Sequence, residues 1–138
     1  MNYLLDTHIL LWALSDEDKA GNRLPDSIAA ILENPDNTIF FSIVNIFEIE
    51  LKRIVRPSDN LPSGKELLSF CKDAGFSMLS LKTDHIFAMN TLKKGANVRD
   101  HKDPYDWLLV SQAKVENMGF LTIDSKLLQY EEECIIKQ

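Results

Sequence analysis

The sequence is poor in the features that mark secreted or membrane-spanning proteins. It has two cysteines, Cys71 and Cys134, so at most one disulfide bond can form. Its longest unbroken apolar run, residues 9–14, is far shorter than the roughly 20 residues that cross a bilayer. The opening segment has no basic stretch of the kind that begins an export signal. We therefore expect a cytoplasmic chain with reduced thiols and no contact with a membrane.

Basic residues are in the minority. The 15 lysines and arginines face 21 acids, which gives a net charge of −6. This balance argues against a protein that coats nucleic acid by bulk positive charge. It does not exclude an enzyme that acts on nucleic acid, because a cluster of metal-binding acids lowers the net charge by itself.

Short apolar segments alternate along the 138 residues with segments of helical character. The predicted strands are residues 2–5, 38–41, 76–81, 120–123 and 134–136. The predicted helices are residues 7–14, 25–33, 43–55, 65–74, 84–92, 104–118 and 125–130, with Gly119 expected to end the helix before it. This alternation predicts a three-layer α/β/α domain over residues 1–138, with a short, mostly parallel central sheet flanked by helices.

Two acids follow predicted strands. Asp6 comes directly after the first strand, and Asp124 directly after residues 120–123. Because parallel strands end at the same edge of a sheet, both carboxylates are expected at one rim, where α/β folds place their active crevice. Each acid taken alone is equally well explained as a helix N-cap.

A third acidic motif opens the long helix that begins near residue 104. Asp103 fits the N-cap and Pro104 the first helical position. Asp106 is harder to explain as a cap, because helical spacing aligns it with the apolar residues Leu109, Val110 and Ala113. A carboxylate on such a face must be paired or bind something.

The helix over residues 43–55 carries Glu48 and Glu50 within a mostly apolar sequence. Each of them interrupts a row of apolar residues, so periodicity does not choose between them. Glu48 is also explained by an ion pair with Lys52 one turn later, worth about 0.3–0.5 kcal/mol.

Several carboxylates converging on one rim repel one another unless a cation neutralises them. Mg²⁺ or Mn²⁺ fits a site of carboxylates and water. Zn²⁺ fits poorly, because the cysteines are not paired in sequence and the three histidines lack the spacing of zinc ligands.

Four segments in this order resemble the PIN-domain family, specifically the VapC-like toxins of bacterial toxin–antitoxin pairs. They are Tyr3-Leu4-Leu5-Asp6-Thr7-His8, Phe41-Ser42-Ile43 through Phe47-Glu48-Ile49 with Lys52, His101-Lys102-Asp103-Pro104-Tyr105-Asp106-Trp107-Leu108-Leu109, and Leu121-Thr122-Ile123-Asp124. The resemblance implies that Asp6, Glu48, Asp106 and Asp124 are the family's first to fourth acids. It thereby favours Glu48 over Glu50.

Other positions carry over less directly. Thr7 and Ser42 match small polar positions near the acids, and Asp103 matches an acid that either supports the site from behind or remains a cap. Trp107 departs from the arginine often found after the third acid, which puts a phosphate or partner contact there in doubt but leaves the metal site intact.

The resemblance implies a Mg²⁺- or Mn²⁺-dependent endoribonuclease that forms a homodimer and binds a small antitoxin protein near the acidic rim. Asp6, Glu48 and Asp106 would hold the first metal ion, and Asp124 would assist a second ion or orient water. The cations beside the third acid are candidates for contacts with RNA, although a solvated face explains them too: Lys93, Lys94, Arg99 and Lys102. The rival interpretation is a catalytically silent PIN domain that binds RNA or a protein.

Overall fold

A computed structural model describes residues 1–15 and 24–137 of the chain. Its centre is a sheet of parallel strands in the order β3-β2-β1-β4. The strands are β1 (Asn2–Leu5), β2 (Thr38–Ser42), β3 (Ser77–Leu79) and β4 (Gly119–Leu121). Leu4 pairs with Phe40 on one side and Phe120 on the other, so β1 is central and its carboxyl end lies in the middle of the rim.

Helices cover both faces of this sheet. They are α1 (Thr7–Ala13), α2 (Asp26–Glu33), α3 (Ile43–Val55), α4 (Gly64–Asp73), α5 (Thr83–Ala88) and α6 (Pro104–Val115). Short 3₁₀ turns occur at Pro57–Asp59, Met89–Thr91, Ala96–Val98 and Leu127–Gln129. Among the described residues, no helix is long and apolar enough to cross a membrane.

Two apolar cores lie on opposite faces of the sheet. Leu4 packs in one with Leu109 and Phe120, whereas its neighbour Leu5 packs in the other with Ile9 and Leu67. This division follows from the alternation of side chains along a strand. It confirms the three-layer α/β/α fold. Both cysteines are free thiols.

The long helix α6 ends earlier than predicted, and Gly119 does not end it. Asn117 reverses the chain with a φ of 55°, and the Met118 N–H donates to the Ala113 carbonyl over 2.9 Å, which forms a Schellman cap. Gly119 instead begins β4. A Cβ there would lie 2.8 Å from the Tyr3 ring, so the glycine allows the strands to approach.

Other predicted elements are shorter than expected, and the predicted strand 76–81 is reduced to Ser77–Leu79. Residues 134–136 form a single parallel bridge, between Phe120 and Ile135, and not a strand. The predicted helix 84–92 is α5 followed by a 3₁₀ turn. In this turn the Thr91 hydroxyl donates a hydrogen bond to the Ala88 carbonyl over 2.7 Å. The predicted helix 125–130 is reduced to the turn Leu127–Gln129.

Candidate active site

Asp6 lies at the end of β1 and caps α1. Its Oδ1 accepts from the Thr7 N–H over 2.7 Å, and its Oδ2 accepts from the Thr122 hydroxyl over 2.7 Å. The side chain is buried. Burial and the charge of Glu48 raise the pKa of Asp6 to about 6, although both hydrogen bonds lower it. Asp6 therefore caps the helix as expected and also has a raised pKa.

Glu48 is the buried glutamate of α3. Its Oε1 accepts from the Thr7 hydroxyl over 2.7 Å, and its Oε2 lies 2.7 Å from the Lys52 ammonium. Glu50 is half-buried and points toward Gly64. The structure thus places Glu48, and not Glu50, beside the residue that follows Asp6. It also contains the ion pair with Lys52 that helical spacing allowed.

A buried network of amides and hydroxyls supports this corner. Asn45 donates to the Thr7 hydroxyl over 2.9 Å and accepts from the Ser42 N–H over 2.6 Å. The Ser42 hydroxyl caps α3 at Val44 and donates to Gln112 over 2.5 Å. Thr7 therefore contacts an acid directly, whereas the Ser42 hydroxyl contacts Gln112 on α6. Sequence reasoning did not single out Asn45 or Gln112. The capping box that Asn45 forms with Ser42 is a local signal that could have found Asn45, whereas Gln112 is uncharged and its partners are distant in sequence.

Asp106 lies in the first turn of α6, on the buried face that helical spacing indicated. Burial raises its pKa to about 8, and the negative charges of four other acids add to this shift: Asp6, Asp103, Asp124 and Glu48. These carboxylates lie within electrostatic range of Asp106, so the rim holds a surplus of negative charge.

His101 contacts Asp106 from the loop that precedes α6. Its Nε2 lies 3.3 Å from Asp106 Oδ2, and its Nδ1 lies 2.6 Å from the Tyr130 hydroxyl. The Trp107 indole N–H donates to the same hydroxyl over 3.2 Å. The imidazole of His101 thus lies between the Tyr130 hydroxyl and the Asp106 carboxylate.

The other two acids bond to backbone. Asp103 caps α6, and its Oδ1 accepts from Tyr105 N–H over 3.0 Å and Asp106 N–H over 3.1 Å. Asp124 Oδ1 accepts from the Lys126 N–H over 2.8 Å. The Thr122 hydroxyl connects two of the acids, since it donates to Asp6 and accepts from the Asp124 N–H over 3.0 Å.

A groove of about 510 Å³ opens over this rim. Asp103, Asp106 and Asp124 line it together with the cations Lys52, Lys102 and Lys126. Of the four cations predicted to contact RNA, Lys102 thus lies in the groove, and Lys93 and Arg99 are exposed. Lys94 is engaged elsewhere, with its ammonium 4.1 Å from the centre of the Trp107 ring and 3.0 Å from the His101 carbonyl.

The carboxylates do not form a ready-made chelate. Within residues 1–15 and 24–137, no three His, Cys, Asp or Glu side chains are arranged to hold a metal ion as they stand. Glu48 and Asp106 instead contact Lys52 and His101. Hard oxygen donors with surplus negative charge fit Mg²⁺ or Mn²⁺ in type, provided that these two contacts open.

The model of the PIN domain matches residues 3–133, and the chain belongs to the PIN domain family. Among solved structures it is similar to VapBC2 from Rickettsia felis bound to a DNA fragment from its promoter, with a TM-score of 0.61 and 17% identity. That match covers 100% of this chain and 98% of the other. At this identity the likeness shows the shared fold. No curated protein matches the chain.

Proposed function

We propose that this PIN domain is a Mg²⁺- or Mn²⁺-dependent endoribonuclease and the toxin of a VapC-like toxin–antitoxin pair in the cytoplasm. The observation that supports the activity is the surplus of carboxylates around Asp106, which occupy every acidic position of the family pattern. A site that gathers this much negative charge at the rim of an α/β sheet calls for a cation.

The donor set fits hydrolysis of a phosphodiester, which is anionic and has a poor leaving group. A bound divalent ion would neutralise the phosphate and activate water. Asp6, Glu48 and Asp106 would hold the first ion, and Asp124 would assist a second ion or orient the attacking water. Thr122 and Thr7 keep the first two carboxylates in place through their hydrogen bonds.

The RNA substrate would lie in the groove over the rim. Lys102 and Lys126 line this groove and would bind the phosphate backbone. The exposed side chain of Arg99 would extend the contact, whereas Lys93 lines a separate cavity at the amino end of the sheet and lies away from the groove. Lys94 would act indirectly, because it holds the His101 segment against Trp107.

A small antitoxin protein would cover the outer face of α3. This face carries exposed apolar side chains at helical spacing, here called the α3 stripe: Ile43, Phe47, Leu51, Ile54 and Val55. Phe47 packs edge-on against Tyr105, whose neighbour is Asp106, with ring centres 5.8 Å apart. A chain seated on the stripe would therefore reach the acidic rim and block it.

The antitoxin proposal is tested by co-expression with any small protein encoded directly upstream of this gene. Ile54→Asp should abolish co-purification and the protection from cleavage that the complex gives. Phe87→Asp, an equally exposed apolar site on α5, is the matched control. If Ile54→Asp leaves the complex intact, the stripe is not the docking surface. Light scattering of the free protein tests the proposed homodimer.

The activity is tested on a mixed pool of cellular RNA with Mg²⁺, Mn²⁺ or EDTA. Glu48→Gln should abolish discrete cuts, whereas Glu50→Gln, a matched change on the same helix, should leave them unchanged. The reverse result would exchange the two glutamates. No cleavage by folded, inhibitor-free protein under any metal condition would favour the alternative, a silent PIN domain that binds RNA or a protein.

A further inference from the structure

Lys52 lies between the acids and the groove. Its ammonium is 2.7 Å from Glu48 Oε2, and the charges of Asp103 and Asp106 act on it as well. The carboxylate of Glu48 is buried, whereas 42% of the Lys52 side chain is exposed. The lysine thus reaches into the rim from the solvent side and holds an oxygen that the proposed metal site requires.

We propose that Lys52 is a displaceable counterion, which holds Glu48 in the metal-free protein and turns into the groove toward substrate phosphate when a divalent cation takes its place. This inference rests on the proposed function and concerns a residue outside the metal ligands. It makes Lys52 a positioning residue for the metal-free state.

The geometry favours a movable lysine. Lys52 is on the same helix as Glu48, one turn later, so its long stem can rotate without any shift of the backbone. A second buried pair, Lys114 with Glu132, offers a contrast. The Lys114 ammonium bonds to Glu132 over 3.1 Å and also to the Thr91 carbonyl over 3.1 Å, which ties it to a neighbouring turn. Among the described residues, the Lys52 ammonium hydrogen-bonds to Glu48 alone, so no backbone carbonyl ties it in place.

Charge gives the direction of the effect. In the metal-free protein the ammonium offsets part of the repulsion between carboxylates, so its removal should destabilise that state. A divalent ion must displace the same ammonium and overcome its positive charge, so removal should strengthen metal binding. A lysine that merely oriented Glu48 as a ligand would give the opposite result, because its loss would weaken metal binding.

The test measures Mn²⁺ binding by calorimetry and by the loss of the free-ion signal in electron paramagnetic resonance. We expect Lys52→Met to bind Mn²⁺ at least about tenfold more tightly than wild type, equivalent to one pKa unit of relieved charge. Arg53→Met, an exposed cation on the same helix, should bind like wild type, and so should the conservative variant Lys52→Arg. Lys52→Gln serves as a second neutral variant, and thermal unfolding without metal verifies the fold of each.

A second readout follows the proposed turn toward substrate. At saturating Mn²⁺, the KM for RNA should rise in Lys52→Met and not in Arg53→Met. If both neutral variants bind Mn²⁺ no more tightly than wild type, the counterion role is overturned. The proposed function still stands in that case, provided that wild type cleaves RNA. Absence of both Mn²⁺ binding and cleavage in wild type and variants alike would overturn the proposed function and this inference together.

Discussion

The two ends of the central sheet each bury a glutamate against a lysine, but their charge balance differs. At the carboxyl end, the pair of Glu48 and Lys52 is joined by the buried acids Asp6 and Asp106. At the amino end, beside a second cavity of about 430 Å³, Glu132 accepts from Lys114 over 3.1 Å and from a backbone N–H over 2.7 Å.

The difference shows that a buried acid does not by itself mark a site. Glu132 is matched by its donors and connects the C-terminal segment to residues 91 and 93. The carboxyl end has more acids than cations to match them. Burial and these negative charges raise the pKa of Asp106 to about 8. Surplus charge, rather than burial, distinguishes the candidate active site.

The comparison is tested most severely by Asp106→Asn. We expect RNA cleavage to fall at least about 100-fold, because loss of one metal ligand removes several kcal/mol of transition-state stabilisation. The circular dichroism spectrum should be unchanged, since asparagine has the same size. Initial cleavage rates at matched purity measure the effect, and activity within a few-fold of wild type would remove Asp106 from the site.

Glu132→Gln should show the opposite pattern. We expect the free energy of unfolding to fall by about 1–3 kcal/mol, because Lys114 and a backbone N–H lose their charged acceptor. Cleavage per folded molecule should stay at the wild-type level. Urea unfolding measures the first quantity, and a cleavage loss as large as that of Asp106→Asn would erase the proposed distinction between the two ends.

The pH dependence of stability should separate the two ends as well. The pKa values of Asp6 and Asp106 are raised from 3.8 to about 6 and about 8, so the folded state binds these protons more tightly than the unfolded chain. Their contribution to stability is complete below pH 3.8 and lost as the pH rises through these two values.

Metal-free wild type should therefore unfold more easily at about pH 9 than at about pH 5. Asp106→Asn should reduce this difference by more than about 1.4 kcal/mol, the equivalent of one pKa unit. A single unfolding transition at each pH would also support the prediction of one domain. A wild-type profile that does not change with pH would contradict the surplus of charge.

Asp103→Asn should have the smallest effect. Asparagine caps a helix about as well as aspartate, so α6 should keep its N-terminus. We expect cleavage to fall by about tenfold at most, the lower end of the roughly 10–100-fold loss typical of residues that hydrogen-bond behind a metal ligand. The cleavage rate of Asp103→Asn is compared with those of wild type and Asp106→Asn measured in parallel. A loss equal to that of Asp106→Asn would make Asp103 a ligand rather than a cap.

Much of the fold and part of the site could be predicted from local sequence. Asp6 comes directly after the first predicted strand, and the shared direction of parallel strands predicts its place on the rim. Asp106 could be placed on a buried helix face because its apolar partners lie on the same helix. In both cases the information is contained within a few residues of the acid.

The choice between Glu48 and Glu50 could not be made from periodicity, because the outer face of α3 is as apolar as its inner face. Ile54 and Val55 are 71% and 66% exposed, although a hydrophobic row would normally be assigned to the core. The prediction fails because the hydrophobic pattern of a helix indicates buried residues only where its apolar side chains face the core.

Two polar supports of the site, Thr122 and Gln112, were missed for another reason. Thr122 and Asp6 are 116 residues apart, and Ser42 and Gln112 are 70 residues apart. Uncharged side chains at such separations give no periodic signal, and their roles follow from the sheet order that brings β1 beside β4.

The hydroxyl of Tyr130 connects the last part of the chain to the candidate active site. It holds His101 against Asp106, and Tyr130 is itself fastened by the Lys137 ammonium, 2.7 Å from its carbonyl. Tyr130→Phe would leave the acids of the rim and the buried ring in place and still release the imidazole. We therefore expect substitutions in the C-terminal segment to alter the candidate site without touching any of its acids.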